Sequence, residues 1–189
     1  MQRPSRDDVR AEFVDIAARR FGTDGFQATS LDDIATEAGY SKAAVLYHFG
    51  SKDDLLVAVM GRHIEQIAEL VCGLEQQPPG PERTERAIES LVTLALEHRP
   101  AAPLALSPAH DLATAMARHP DLMVQFREVR ERIGRLLVGD HPTLEQRIRL
   151  IIVFSGMPAL LIELRDIPAA QLHGPIRDVL RDAVHSEET

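Results

Sequence analysis

The 189 residues, 44% of them hydrophobic, suffice for one compact domain or a small head fused to a larger body, and they exclude a disordered chain. A lone cysteine, Cys72, precludes an intramolecular disulfide, and the acidic, polar start offers no secretory apolar core. The strongest apolar stretch, 150–162, is broken by Ser155, Gly156 and Pro158 and falls short of the roughly 20 residues of a membrane span, so a soluble cytoplasmic protein is expected. The formal net charge of −8 argues against a broad basic face, and residues 1–56 repeat the deficit with seven Lys/Arg against ten Asp/Glu, so any contact with nucleic acid must rest on a few groups placed locally.

In chain order, Val9, Phe13, Ile16, Ala17 and Phe21 keep helical spacing, and Gly22 with Asp24-Gly25 predicts the stop and turn of a first helix. Thr29 and Ser30 are alternative N-caps of a second helix running to about Ala38, because each has an aspartate three residues on, Asp32 and Asp33. Gly39 suits a C-terminal position of positive φ, and Ser41 can cap a third helix from Lys42 to about His48 after a turn of about three residues. Ser51 with Asp54 starts a long fourth helix whose apolar stripe runs from Leu55 to Leu74 and can bridge two domains. Cys72 lies among Leu70, Val71 and Leu74, which predicts a buried, inert thiol.

The stretch Gln76-Gln77-Pro78-Pro79-Gly80-Pro81 must be a loop. Beyond it, helices are expected over about 82–98, 109–118, 120–138, 143–164 and 175–185, the last with Pro175 at its first position. The fold class is therefore all-α, about nine helices, divided as a head over 1–50 and a helical body over 51–189. The helix over 143–164 is apolar on nearly every face and needs cover on two sides. One side can be covered within the chain and the other by a second copy, giving a homodimer through a four-helix bundle with Leu150, Ile151, Phe154, Leu161, Ile176, Val179, Leu180 and Ala183 at the interface. The alternative is a helix central to a monomeric bundle.

Two short capped helices joined by a glycine turn make a helix-turn-helix, whose second helix enters the DNA major groove. Val45 and Phe49, four apart, can face the core with Ile34, Ala35 and Ala38, leaving Lys42, Ala43, Ala44, Leu46 and Tyr47 on other faces. The small Ala43 and Ala44 let a helix approach the bases, where their methyl groups can meet thymine methyls, and Lys42 can reach guanine or phosphate.

The run Thr29-Ser30-Leu31-Asp32-Asp33-Ile34-Ala35, then Ala38-Gly39-Tyr40-Ser41-Lys42, Leu46-Tyr47-His48-Phe49 and Ser51-Lys52 closely resembles the signature of TetR-family regulators, over roughly residues 9–56. The resemblance implies a dimeric repressor whose body binds a small molecule and so loosens the head from a double-stranded DNA operator. By position it assigns base contacts to Lys42, Ala43, Ala44 and Leu46, phosphate contacts to Tyr47, His48 and Lys52, and contacts near the DNA backbone to Thr29, Ser30 and Ser41. Two departures stand out: Leu46 replaces a frequent tyrosine, and Asp32 stands on a surface where others often place a basic residue. With Lys42, Lys52 and Arg3 or Arg6, roughly two to four cationic contacts per subunit are expected, hence a shallow salt dependence of about −0.9 in log K per phosphate. A dimer spaces its recognition helices about 34–36 Å apart, or a multiple of that, which predicts a palindromic operator.

For an effector pocket the candidates are His63, Ile67, Leu91, Met116, Met123, Phe126, Phe154 and Met157, an aliphatic lining with Phe and Met that suits an apolar or amphipathic molecule. The fourth helix, starting at the head and reaching into the body, is the expected transmitter. No cofactor is expected, and His98, His110 and His119 lack the spacing of a helical metal pair. Two rival readings stay open. One is a helix-turn-helix regulator without a small-molecule effector, constitutive or controlled by a protein partner. The other is a small helical enzyme, for which the sequence offers no nucleophile elbow, phosphate loop or metal motif.

Overall fold

A computed structural model describes residues 4–99, 102 and 119–185. Among these residues the chain forms eight helices and no strand: α1 (Arg6–Thr23), α2 (Leu31–Ala38), α3 (Lys42–Phe49), α4 (Lys52–Glu75), α5 (Pro81–Glu97), α6 (Pro120–Val138), α7 (Leu144–Glu163) and α8 (Ala169–Val184). The helix expected over 109–118, with His110 and Met116, lies outside the described residues. None of the described helices is long and apolar enough to cross a membrane.

The chain divides into two compact units, with the break inside α4 between His63 and Ile64 and residues 119–123 belonging again to the first unit. The division expected at residue 50 falls earlier because the first turns of α4 complete the head: Leu55, Leu56 and Val59 are buried in the same cluster as Phe13, Phe21, Ile34, Val45 and Phe49. In that cluster the Phe13 ring meets Tyr40, His48 and Phe49 edge-on, and Phe21 meets Phe26 in the same way. Aromatic edge-to-face pairs add attraction to plain burial, so a core of few residues holds three short helices together.

Local chemistry starts these helices. Ser5 caps α1 through a reciprocal box with Asp8, a signal of the same S-x-x-D form that lies upstream of the first apolar residue read from the sequence. Of the two cap candidates for α2, Ser30 holds the position with Asp33, whereas Thr29 turns inward and donates its hydroxyl to the Gly25 carbonyl at 2.9 Å. Gly39 closes α2 at φ 74°, and Ser41 accepts the Ala44 N–H to open α3. Helix α1 outlasts Gly22 and ends at Asp24, with Gly25 taking the positive φ.

In the second unit, α8 packs against α5 and α7. Ile88, Val92 and Leu96 of α5 are buried, as are Leu172, Ile176 and Leu180 of α8 and Leu150 and Leu161 of α7. Helix α8 begins six residues before the expected start, so Pro175 lies inside it. Proline forfeits one helical N–H there, a loss the burial of Leu172 and Ile176 on either side offsets. Arg99 clamps the end of α7 and the turn that follows it, donating to the carbonyls of Leu161, Leu164 and Ile167. Cys72 is exposed rather than buried, because it stands a residue off the stripe of Ile64, Val71 and Leu74 that α4 turns inward. Gln76 Nε2 points at its sulfur from 3.8 Å.

Candidate nucleic-acid interface

Helix α3 has one face in the core and one in solvent. Val45 is fully buried and Phe49 nearly so, which orients the eight-residue helix about its axis. Ser41, Lys42, Ala43, Leu46 and Tyr47 are thereby exposed, and Ala44 and His48 are half-buried. Tyr47 is 71% exposed and Leu46 38%, an unusual placement for large apolar side chains on a small folded head. The capped N-terminus of α3 and the small side chains of Ala43 and Ala44 leave its first turn open to close approach. The structure thus brings Ser41, Lys42, Ala43, Leu46 and Tyr47 onto one surface of the head.

Three other expected contacts sit differently. Thr29 is only 2% exposed and its hydroxyl is engaged by the Gly25 and Arg20 carbonyls, so its side chain supports the turn and offers nothing to a ligand. Ser30 is exposed, but its hydroxyl donates to Asp33 at 2.6 Å while capping α2. Lys52 lies 4.4 Å over the Phe26 ring and donates to the Gln27 carbonyl, which anchors the start of α4 to the α1–α2 connection.

Electrostatically the surface is nearly balanced by internal pairs. Lys42 Nζ meets Asp32 at 2.7 Å across the two helices of the motif. Arg19 and Arg20 both pair with Glu37, and Arg20 also reaches Asp24. The two guanidinium groups, Arg19 first, hold the Glu37 carboxyl below its ordinary range. Arg62 pairs with Asp15. Burial first, then the positive charges of Arg6 and Arg10, lowers the pKa of His48.

The residues expected to line an effector pocket do not converge on the cavity that the second unit displays. That cavity is an open groove between α5 and α8, bordered by Thr93, Leu96, Glu97, Ala169, Ala170, His173, Gly174 and Arg177. Leu91 is buried in the α5 core, and Ile67, Phe154 and Met157 are half-buried. His63, in the first unit, is half-buried; Met123 and Phe126 are each 44% exposed. Of the residues expected at a dimer interface, Leu150, Leu161, Ile176, Leu180 and Ala183 are covered within the chain, because α5, α7 and α8 use them to pack on one another. Ile151 and Val179 are 59% and 58% exposed, and Phe154 is half-buried. The sequence reading missed Leu144, Ile148 and Ile152, which share the exposed stripe of α7 with Ile151. Their i, i+4, i+8 spacing was the available signal. Among the described residues no cluster of His, Cys, Asp or Glu could hold a metal ion.

Comparison with known proteins bears on the head above all. Residues 13–59 match the family model for bacterial regulatory proteins of the tetR family. The chain is 38% identical over 71 residues to the HTH-type transcriptional activator FasR of Mycolicibacterium smegmatis, covering 38% of this chain and 31% of that one. It is 33% identical over 73 residues to the HTH-type transcriptional regulator AcrR of Shigella flexneri, covering 39% and 34%. The chain thus spans about a third of the length of these curated relatives. The fold carries further: the TetR-like regulator LfrR of Mycobacterium smegmatis, solved in complex with proflavine, superposes with a TM-score of 0.73 at 19% identity, over 97% of this chain and 100% of that one.

Proposed function

Because residues 13–59 match the family model for bacterial regulatory proteins of the tetR family, we propose that the chain binds an operator in double-stranded DNA as a homodimer and represses until a small molecule releases it. The observation that carries the reading is the exposed outer face of α3, where Lys42, Ala43, Leu46 and Tyr47 stand in solvent on a helix fixed by buried Val45 and Phe49. Such a helix can lie in a major groove with its N-terminal residues toward the base edges. Ser41, Ala44 and His48 complete the contact surface at its margins. Lys42 must exchange Asp32 for guanine or phosphate on binding, and that exchange makes loose association with random sequence weak.

Support for the dimer comes from α7. Leu144, Ile148, Ile151 and Ile152 form an exposed aliphatic stripe that continues into Ser155 and Ala159, also exposed, and small residues let a second helix come close. A second copy presenting the same stripe buries both. For the effector, an apolar or amphipathic molecule is proposed on the aliphatic and Phe/Met composition of the second unit, although Ile67, Leu91, Phe154 and Met157 do not border its open groove. LfrR, similar in fold, was solved in complex with proflavine. Footprinting at low salt on the DNA flanking the native gene tests the reading: a protected palindrome is expected, and no protected site on any flanking duplex would overturn it.

A further inference from the structure

In a head with more carboxylates than cations, the described basic groups are mostly consumed by acidic neighbours: Lys42 by Asp32, Arg19 and Arg20 by Glu37, Arg62 by Asp15. Arg6 and Arg10 differ. Both are exposed on α1, one turn apart, and each lies over an aromatic ring from the end of α3: Arg6 at 5.3 Å from the Tyr47 centroid and Arg10 at 5.1 Å from that of Phe49. Neither forms an ion pair with a described carboxylate. Two like charges at i and i+4 of an isolated helix repel, so nothing in α1 itself favours the arrangement. The rings hold both guanidinium groups toward one place, the flank of α3 where His48 sits between Tyr47 and Phe49.

We propose that Arg6 and Arg10 of α1, Arg10 above all, form with Tyr47 a phosphate-binding clamp for one strand of duplex DNA, so that α1 supplies the head's working charge while α3 reads the bases. The proposal rests on the operator-binding reading and adds a residue, Arg10, that neither the helix-turn-helix pattern nor the family resemblance assigns. The chemistry is that of a planar guanidinium presenting paired N–H donors to phosphate oxygens. A cation stacked on a ring keeps its outer N–H edge free, whereas one locked to a carboxylate does not. His48, whose pKa the same two arginines help to lower, records that their positive field reaches the surface between α1 and α3. Its Nδ1 is buried without a hydrogen-bond partner, so the ring serves the site by packing against Phe13 and Tyr47.

The alternative role for Arg10 is cover for Phe49, which its stem shields from water. Arg10→Met separates the two, since methionine keeps the apolar cover and removes the charge; Arg10→Lys keeps the charge and changes the fork. Binding of the full chain to the footprinted duplex and to a random duplex of equal length, read by fluorescence anisotropy across a salt series, is the test. Arg10→Met is expected to weaken both by the same factor, about tenfold at moderate salt, and to lower the salt slope by about one per subunit, with the melting temperature unchanged. Arg10→Lys is expected to keep the slope. A wild-type slope in Arg10→Met overturns the clamp and leaves operator binding standing, as does weakening that only tracks a loss of melting temperature. Wild-type protein that binds neither duplex overturns both.

Discussion

The head and the body leave different groups at their surfaces, and the difference indicates what each is built to meet. On α1–α3 the large exposed apolar side chains are Leu46 and Tyr47, both on α3 and flanked by Arg6 and Lys42. On α7 they are Leu144, Ile148, Ile151 and Ile152, a purely aliphatic stripe. A mixed surface of ring, methyl and guanidinium suits a groove lined with phosphates and base edges, while an aliphatic stripe is satisfied only by another apolar surface. Their starting points differ as well. Helices α1, α2 and α4 are capped by serine with aspartate, at Ser5–Asp8, Ser30–Asp33 and Ser51–Asp54, and α3 by Ser41 alone, whereas α7 is capped by the neutral pair Thr143–Gln146.

The largest effect that tests this separation is expected from Phe13→Ala. Phe13 is fully buried beneath Tyr40, His48 and Phe49, and its truncation should cost the head about 3–5 kcal/mol. Denaturant titration followed by circular dichroism should show the early loss of a helical fraction, and sedimentation should show the proposed dimer intact. Dissociation of the dimer by this change would break the separation. A smaller thermodynamic effect with a clear readout is expected from Ile151→Asp combined with Ile152→Asp. Both side chains are more than half exposed, so each chain's own stability should move by roughly 0.5 kcal/mol or less, while sedimentation equilibrium should report monomers. A dimer that survives would place the subunit contact elsewhere.

The smallest effect is a pH dependence confined to the acidic caps. Hydrogen bonds with the Ser5 side chain and then its backbone hold the Asp8 carboxyl below its ordinary range, and those of Ser30 do the same for Asp33. A carboxyl whose pKa is lower folded than unfolded stabilises the fold above the ordinary carboxylate range, and the contribution is lost as pH falls through that range toward the folded value. Hydrogen exchange of the Asp8 and Asp33 amides, corrected for intrinsic rate, should therefore lose protection in acid, while the Gln146 amide under the neutral cap should not. Equal losses at all three would show that acid acts through the whole fold instead of through the caps.

The head was legible because its signals are short in range. Gly39 announces a left-handed C-cap and Ser41 an N-cap within three residues, and the spacing of Val45 and Phe49 orients α3. The choice between Thr29 and Ser30 was not legible, since both carry an aspartate three residues on. What decided it is the Gly25 carbonyl, which accepts from the Thr29 hydroxyl once the α1–α2 turn has closed. Cys72 was misread because its apolar neighbours in sequence lie on other faces of α4.

The residues alone determined an all-helical chain, the positions of most helix ends and the division of α3 into a buried and an exposed face, because caps, glycines and a 3.6-residue period act over a turn or two. Folding decided which charges remain available and which apolar residues remain uncovered. Lys42 finds Asp32 ten residues away and Arg10 finds Phe49 on another helix, while α5 and α8 cover Leu150 and Leu180 and leave Ile151 and Val179 in solvent. Such partners are chosen by packing between helices, where distance in space has no fixed relation to distance along the chain.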